Sequence, residues 1–228
     1  MNIDSFKGFT PQTFEFFKEL SENNNKLWFD SHKDIYQEHI MQPLKSLAVA
    51  LTPAMYEIDP QIDFRPIKML SRIYRDIRFS PNKTPYKSHM WISFQRPTNK
   101  LDNKEAFPGY YLEIGAEGVN YCMGIWMPKK KIMDRFRDQI IYSPDTFKEI
   151  TKDLETKHQF ELRGDTYKRK IENDLPEYFQ TWIQRKEIFL LKGLPIKDIL
   201  FSNEFIQYME QEFALLTPLY ELFIDVCE

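Results

Sequence analysis

The chain has 228 residues, of which 42% are hydrophobic and 15% aromatic, and its formal net charge is −3 at pH 7. A chain of this length and composition can bury a substantial core, so we expect one globular domain, residues 1–228. The two cysteines, Cys122 and Cys227, lie far apart and form no redox or metal-type pair, which excludes a disulfide framework and fits a reducing cytoplasm.

Secretion and membrane insertion are also excluded by the sequence pattern. The N-terminal stretch MNIDSFKGFTPQTFEFFKEL carries acids and lacks the basic region and apolar core of a signal peptide. No stretch approaches the ~18 apolar residues that a membrane-spanning helix requires. We therefore expect a cytoplasmic protein with no membrane partner.

The first part of the chain has the pattern of helices. The stretch TPQTFEFFKELSENNN has Thr10 as a candidate N-cap and Pro11 at the first helical position, and its asparagine run ends the helix. The following stretch, KLWFDSHKDIYQEHIMQPLKSLAVALTPAMYEI, repeats apolar residues at helical spacing. Pro43 and Pro53 mark helix starts or kinks within it.

The middle of the chain changes to a period of two residues. HMWISFQ alternates apolar residues with His89, Trp91 and Ser93, which predicts a strand. GYYLEIGAEGVNYCMGIW predicts a β-hairpin that turns at Glu117-Gly118. The sequence therefore predicts an antiparallel β-meander in this region.

Helical patterns return after the hairpin. They cover the stretches PKKKIMDRFRDQIIY, SPDTFKEITKDLE, DLPEYFQTWIQRKEIFLLK and SNEFIQYMEQEFALLTPLYELFIDV. An antiparallel β-meander flanked by helices in a single domain indicates the α+β class.

Positive charge is concentrated between Arg65 and Arg96. This segment holds eight Lys/Arg residues and one acid, Asp76, so it carries +7 while the rest of the chain carries −10. A basic island in an acidic protein argues against nucleic acid as a partner and favours a local site for a small anion.

The centre of this island is the stretch SRIYRDIRFSPNKTPYKSHMW. A helical turn would place Arg72, Arg75 and Arg78 along one side, whereas an extended chain would send Arg75 to the opposite face. Arginine and lysine donors match carboxylate and phosphate oxygens. The predicted ligand-binding residues are Arg72, Arg75, Arg78, Lys83, Tyr86 and Lys87, together with Arg163, Tyr167 and Lys168 of a second basic group, LRGDTYKRK.

His89 and Glu113 are the candidate catalytic residues. If the hairpin neighbours the first strand, Tyr111 and Glu113 share the polar face of His89, and Gly124 leaves room over the sheet. His89 and Glu113 would then form a general acid/base pair. The alternative is a histidine hydrogen-bonded in the core and a glutamate that neutralises one arginine.

Several standard chemical signatures are missing from the sequence. There is no Gly-rich phosphate loop, no G-x-G-x-x-G, no H-E-x-x-H and no G-x-S-x-G. The four histidines do not cluster at ligand spacing. We therefore predict no metal site and no cofactor.

Five stretches of the chain resemble one family. GFTPQTFEFFKELSENNNKLWFDSHKDIY, RIYRDIRFSPNKTPYKSHMWISF, PGYYLEI, MGIWMP and LRGDTYKR resemble, in order and spacing, the bacterial and fungal family catalogued as domain of unknown function 2461. The resemblance covers residues 6–191 and leaves a C-terminal helical extension at residues 195–228. It implies a single domain and supplies no activity, and the usual acid before Lys83 in the main motif is replaced by Asn82. The motif residues in this chain are Arg72, Arg75, Asp76, Arg78, Phe79, Lys83, Pro85, Tyr86 and Lys87, followed later by Gly164, Asp165, Tyr167 and Lys168.

The sequence thus favours a protein that binds a small phosphorylated or carboxylated ligand, and it leaves open whether the protein is an enzyme. One alternative is an interaction module whose basic loop docks an acidic protein or RNA. Another is a structural network in which every cation of the motif pairs with an internal carboxylate. Neither the reaction nor the oligomeric state is predicted.

Overall fold

The computed structural model of the protein describes residues 5–78, 81–97 and 107–228. Phe79 of the basic motif lies outside the described residues. The helices are α1 (Pro11–Glu22), α2 (Lys26–Ser31), α3 (Lys33–Ile35), α4 (Gln42–Ile58), α5 (Pro66–Met69), α6 (Lys130–Tyr142), α7 (Pro144–Thr156), α8 (Glu177–Ile183) and α9 (Glu204–Cys227). A π-helical segment spans Tyr36–Met41, and a 3₁₀-helical turn spans Asp198–Phe201.

The strands are β1 (His89–Gln95), β2 (Gly109–Gly115), β3 (Gly118–Ile125), β4 (Glu161–Arg163) and β5 (Ile188–Pro195). They form one antiparallel sheet in the order β1-β2-β3-β5-β4. The first three strands are the predicted meander, and helices precede and follow it in the chain. The α+β class is confirmed.

The chain divides into two compact units. The first comprises Met1–Phe94, Tyr111–Tyr121 and Gly193–Glu212, and the second comprises Gln95–Tyr110, Cys122–Lys192 and Phe213–Glu228. A single globular domain over residues 1–228 stays a prediction. No helix in the described parts of the chain is long and apolar enough to cross a membrane.

The first unit begins as the sequence predicts. Thr10 caps α1, with its backbone N–H donating to Thr13 Oγ1 at 3.2 Å, and Pro11 occupies the first helical position. Pro53 lies inside α4. The apolar side of β1 is fully buried, which confirms the predicted alternation. The buried residues of β1 are Met90, Ile92 and Phe94.

The β2–β3 hairpin turns one residue earlier than predicted. Ala116 and Glu117 form the turn, and Gly118 is already the first residue of β3. Gly118 has a φ of +132°, and a Cβ atom there would lie 2.3 Å from the carbonyl oxygen of Leu194. Glycine is therefore required at Gly118 by both conformation and space.

The second unit contains two strands that the helical prediction missed. The helix predicted over DLPEYFQTWIQRKEIFLLK ends at Ile183, and the chain then forms β5. Glu161 of β4 pairs with Leu191 of β5, and Arg163 pairs with Phe189. A short apolar run fits a buried strand as well as a helix, and here the pairing with β4 decides in favour of the strand.

Gly124 does not leave room over the sheet. A Cβ atom at this position would lie 2.1 Å from the carbonyl oxygen of Ile188. The backbone of β5 therefore fills the space that the sequence predicted to be open. Gly124 permits a close approach of two backbones and does not form a pocket floor.

Candidate anion-binding site

The basic segment is extended, which decides between the two geometries that the sequence left open. Leu70 bridges Ile92 and Tyr74 bridges Tyr86, both in antiparallel fashion. The backbone N–H of Lys87 donates to the carbonyl oxygen of Ile73 at 2.8 Å. Residues 70–78 thus run alongside the loop that leads into β1 and alongside β1 itself.

Tyr86 anchors this loop in the core of the first unit. Its side chain is 4% exposed and stacks on Phe29, with 4.2 Å between ring centroids. The side chain of Asn24 donates to the carbonyl oxygen of Tyr86 and accepts from its N–H, both at 3.0 Å. Tyr86 therefore positions the loop and does not offer its ring to a ligand in solvent.

Two of the predicted ligand-binding cations are occupied within the loop. Arg78 forms a two-pronged ion pair with Asp76, with Nε–Oδ1 at 2.9 Å and Nη2–Oδ2 at 2.6 Å. These hydrogen bonds lower the pKa of the Asp76 carboxyl to about 2. Lys83 Nζ donates to the carbonyl oxygen of Ile77 at 2.8 Å. The structural alternative of a carboxylate-paired cation fits Arg78, while Lys83 is held by a backbone carbonyl oxygen.

The remaining three cations, Arg72, Arg75 and Lys87, form what we call the cationic group. None of them pairs with a carboxylate within residues 5–78, 81–97 and 107–228. Arg75 Nη2 donates to the carbonyl oxygen of Tyr86 at 3.2 Å, and its Nε is buried without a hydrogen-bond partner. No carboxylate forms an ion pair with these three cations in the described structure, and the charge of Arg72 acts on Asp76 only as a minor cause of its lowered pKa.

Lys87 is the most enclosed lysine of the motif. Its Nζ donates to the carbonyl oxygen of Arg72 and lies 4.3 Å from the ring centroid of Trp91. Burial lowers the pKa of the Lys87 amine, and the positive charges of Arg72 and Arg75 lower it further. The two guanidiniums therefore repel the Lys87 ammonium, in addition to the larger effect of burial.

Next to the cationic group, β1 and β2 present a polar face made of His89, Trp91, Tyr111 and Glu113, which we call the site face. His89 Nε2 lies 3.7 Å from Glu113 Oε2, and the Tyr111 hydroxyl donates to the same carboxylate oxygen at 2.6 Å. The rings of Trp91 and Tyr111 lie 5.7 Å apart. The structure therefore brings together the residues that the sequence placed on one face.

Burial and three neighbouring charges shift the pKa of His89 in opposite directions. Burial lowers this pKa, the carboxylate of Glu113 raises it, and the charges of Lys87 and Arg75 lower it again. The net direction is downward from 6.5. A neutral imidazole at physiological pH is a competent proton acceptor.

His89 and Glu113 line a cavity of about 510 Å³ in the first unit. Its polar lining includes Ser21, Ser88 and Asn120, and its wall is completed by the β2–β3 turn and by the end of β5. The cationic group does not belong to this lining. The cavity is large enough for a small metabolite.

Asn120 was not predicted as a site residue. Its side-chain oxygen lies 3.2 Å from the position that a Cβ atom would take at Gly193. Only the pairing of β3 with β5, which the sequence pattern did not show, places Asn120 at the cavity.

The second predicted basic group lies in the second unit. Arg163 pairs with Glu161, with Nε–Oε2 at 2.9 Å. Tyr167 lies between two cations, 5.1 Å from the guanidinium of Arg137 and 5.7 Å from the ammonium of Lys186.

Lys168 of the second basic group is exposed and makes no side-chain contact with the described residues. Gly164 has a φ of +121°, a conformation that favours glycine. Ligand binding by Arg163, Tyr167 and Lys168 stays a prediction.

Two unpredicted arginines order that part of the second unit. Arg137 is 5% exposed and donates to the carbonyl oxygens of Ile183 and Arg185 at 2.8 and 2.7 Å. Arg185 donates to the carbonyl oxygens of Gly164 and Leu162 at 2.5 and 3.1 Å. Their roles are structural, because their donors are engaged by backbone acceptors.

The described residues contain no group of three His, Cys, Asp or Glu side chains that could hold a metal ion. The fold and the site face together define an α+β protein with a half-buried histidine–carboxylate pair beside uncompensated cations. Comparison with protein families matches residues 12–222 to the family described as "Conserved hypothetical protein (DUF2461)". The chain belongs to this family, and the match includes most of α9. No curated protein matches the chain.

Proposed function

We propose that the protein binds a small phosphorylated or carboxylated ligand through the cationic group, and that His89 and Glu113 exchange protons with it. The main support is that Arg72, Arg75 and Lys87 meet no carboxylate in the part of the chain that the structure describes. Like charges held together destabilise the folded state, and a bound anion relieves that repulsion. The free buried Nε of Arg75 adds a donor without an acceptor.

The neighbouring acid/base pair suits an enzyme. His89 is held beside Glu113, whose carboxylate is fixed by the Tyr111 hydroxyl. A neutral imidazole accepts a proton from the ligand, and the carboxylate stabilises the imidazolium that forms. The cations then stabilise the negative charge that develops on the ligand.

A thermal-shift screen with phosphate, sugar phosphates, nucleotides and dicarboxylates tests the proposal. A ligand at a hundredfold its Kd stabilises the protein by about 2.7 kcal/mol, which raises the Tm of a chain of this size by about 5 °C or more. We expect Arg75→Ala to lose most of this rise.

Arg65→Ala is the matched control, because Arg65 is an exposed arginine of the same basic segment that already pairs with Asp63. Its ligand-induced rise in Tm should equal that of the wild type. The proposal fails if no anion stabilises the wild type, or if Arg75→Ala responds as Arg65→Ala does.

A docking role for the basic loop is the second candidate, and one observation favours it. Tyr74 and Ile77 are 59% and 45% exposed beside the cations of the loop. Exposed aromatic and basic side chains together suit an acidic protein or RNA. Binding of such a partner without any response to small anions would favour this function over the first.

We place the protein in the cytoplasm as part of the same proposal. The sequence contains only two cysteines, Cys122 and Cys227, and they lie far apart in it. A chain without a disulfide framework is usual in a reducing compartment.

A further inference from the structure

Lys87 differs from Lys83, the other lysine of the same loop, in its burial and in the charges that surround its amine. The Nζ atoms of Lys87 and Lys83 each donate to one backbone carbonyl oxygen. Lys83 is exposed, whereas Lys87 is half-buried and covers the face of Trp91. Two guanidiniums, those of Arg72 and Arg75, act on Lys87, and no carboxylate pairs with it among the described residues.

Those surroundings favour the neutral amine. An amine is a nucleophile only when it has lost its proton, and proteins achieve this by desolvating a lysine or by placing cations next to it. Lys87 meets both conditions, because burial and the two arginines all lower the pKa of its amine. The attraction of an ammonium to the Trp91 ring acts in the opposite direction and is the smaller effect at a partly exposed site.

We propose that Lys87 is a nucleophile that condenses with the carbonyl group of an anionic oxo compound, such as an oxo acid or an oxo phosphate. This inference rests on the proposed anion site and names its substrate class. The arginines hold the carboxylate or phosphate, while the Lys87 amine faces the carbonyl carbon. Lysine that is adjacent to a bound carbonyl compound forms a Schiff base by this route.

The reaction balances without a cofactor. The lone pair of Lys87 Nζ forms a bond to the carbonyl carbon, and the π electrons of the C=O bond move to the oxygen, which takes up a proton. The resulting carbinolamine nitrogen loses a proton and the hydroxyl takes up a second one, so that the C–O bond breaks, one water leaves and the nitrogen lone pair forms the C=N bond.

His89 is the group that moves these protons. The positive charge of Lys87 lowers the pKa of the His89 imidazole, and Glu113 Oε2 lies 3.7 Å from its Nε2. Once the Schiff base has formed, the same imidazole can remove a proton from the carbon next to it. His89 and Glu113 also line the cavity of about 510 Å³, which would take the remainder of the substrate, although Lys87 itself does not line it.

Trapping with pyruvate tests this inference directly. The intact protein is incubated at pH 7 with pyruvate and cyanoborohydride, which reduces the Schiff base to a stable secondary amine, and the modified lysines are identified by peptide mass spectrometry. We expect Lys87 to be modified at least about tenfold faster than Lys83, in line with a preferentially neutral amine. Acetone, which has the carbonyl but no anion, should show a smaller preference, because it gains from the neutral amine and not from the anion site.

Two variants separate the possible outcomes. Lys87→Arg keeps the positive charge and should abolish the fast modification, and Arg75→Ala should reduce it towards the rate of Lys83. If phosphate stabilises the wild type but pyruvate modifies Lys87 no faster than Lys83, the Schiff-base inference is wrong and the anion site remains. If neither phosphate nor pyruvate distinguishes the site, both proposals are wrong.

Discussion

Three arginines, Arg72, Arg75 and Arg78, lie within four residues of Asp76 in the sequence, and only one of them donates to its carboxylate in the described structure. Arg78 forms the ion pair, whereas Arg72 donates no hydrogen bond to any carboxylate among the described residues. The sequence identified both as ligand-binding candidates, because the number of charges does not show which of them the backbone brings together. In the extended segment Arg72, Asp76 and Arg78 share one face, and Arg78 forms the ion pair because it is two residues from Asp76 whereas Arg72 is four residues away.

The titration of His89 is a prediction at the residue scale. By NMR titration of its imidazole we expect a pKa below 6.5, chiefly because of burial. Glu113→Gln removes the charge that raises this pKa, so the pKa should fall further. Lys87→Met removes a charge that lowers it, so the pKa should rise.

The same shift has a consequence for stability. A histidine whose folded-state pKa lies below 6.5 resists protonation when folded, so its contribution to the free energy of unfolding is present above pH 6.5 and is lost as the pH falls below it. A measured pKa at or above 6.5, or shifts of the same sign in both variants, would show that the described charges do not control His89.

Among the secondary-structure elements, the sequence predicted those whose pattern is local. The site face could be predicted from the alternation in β1 and in the β2–β3 hairpin, because a period of two residues separates a buried side from a polar side. β4 and β5 were missed because β4 has three residues and its partner residues in β5 lie far along the chain. Asn120 was missed for the same reason.

Two glycines of the hairpin should respond differently to substitution. At Gly118, alanine would adopt a φ of +132° and bring its Cβ within 2.3 Å of the Leu194 carbonyl oxygen. At Gly115, the nearest atoms to such a Cβ are 3.5 and 3.6 Å away, which is ordinary contact. We expect Gly118→Ala to lower the free energy of unfolding by about 2 kcal/mol or more, and Gly115→Ala by about 0.5 kcal/mol or less.

Urea unfolding of the two variants measures this difference. Each variant is the control for the other, because both introduce the same methyl group within one hairpin. Equal loss of stability in both would contradict the tight packing of the β2–β3 turn against the carbonyl oxygen of Leu194.

For the whole molecule, net charge separates the two proposed functions. A chain of charge −3 repels a polyanion overall, while its local basic segment can still hold one small anion. We therefore expect that a short single-stranded RNA shows no binding in fluorescence anisotropy at about 0.15 M salt, where phosphate contacts are already weakened. Tight RNA binding that Arg78→Ala weakens would instead favour the docking function.

The two hydrogen bonds between Asn24 and Tyr86 have a consequence for how the site forms. They join residues that are 62 positions apart, between the end of α1 and the basic loop. Contacts of such sequence separation form only after a long chain loop has closed, and closing it costs entropy. We therefore expect the basic loop to acquire its final orientation only once the N-terminal helices are in place. A fragment that begins after α2 would keep every charge of the basic segment and lose the Asn24 anchor that orients the loop.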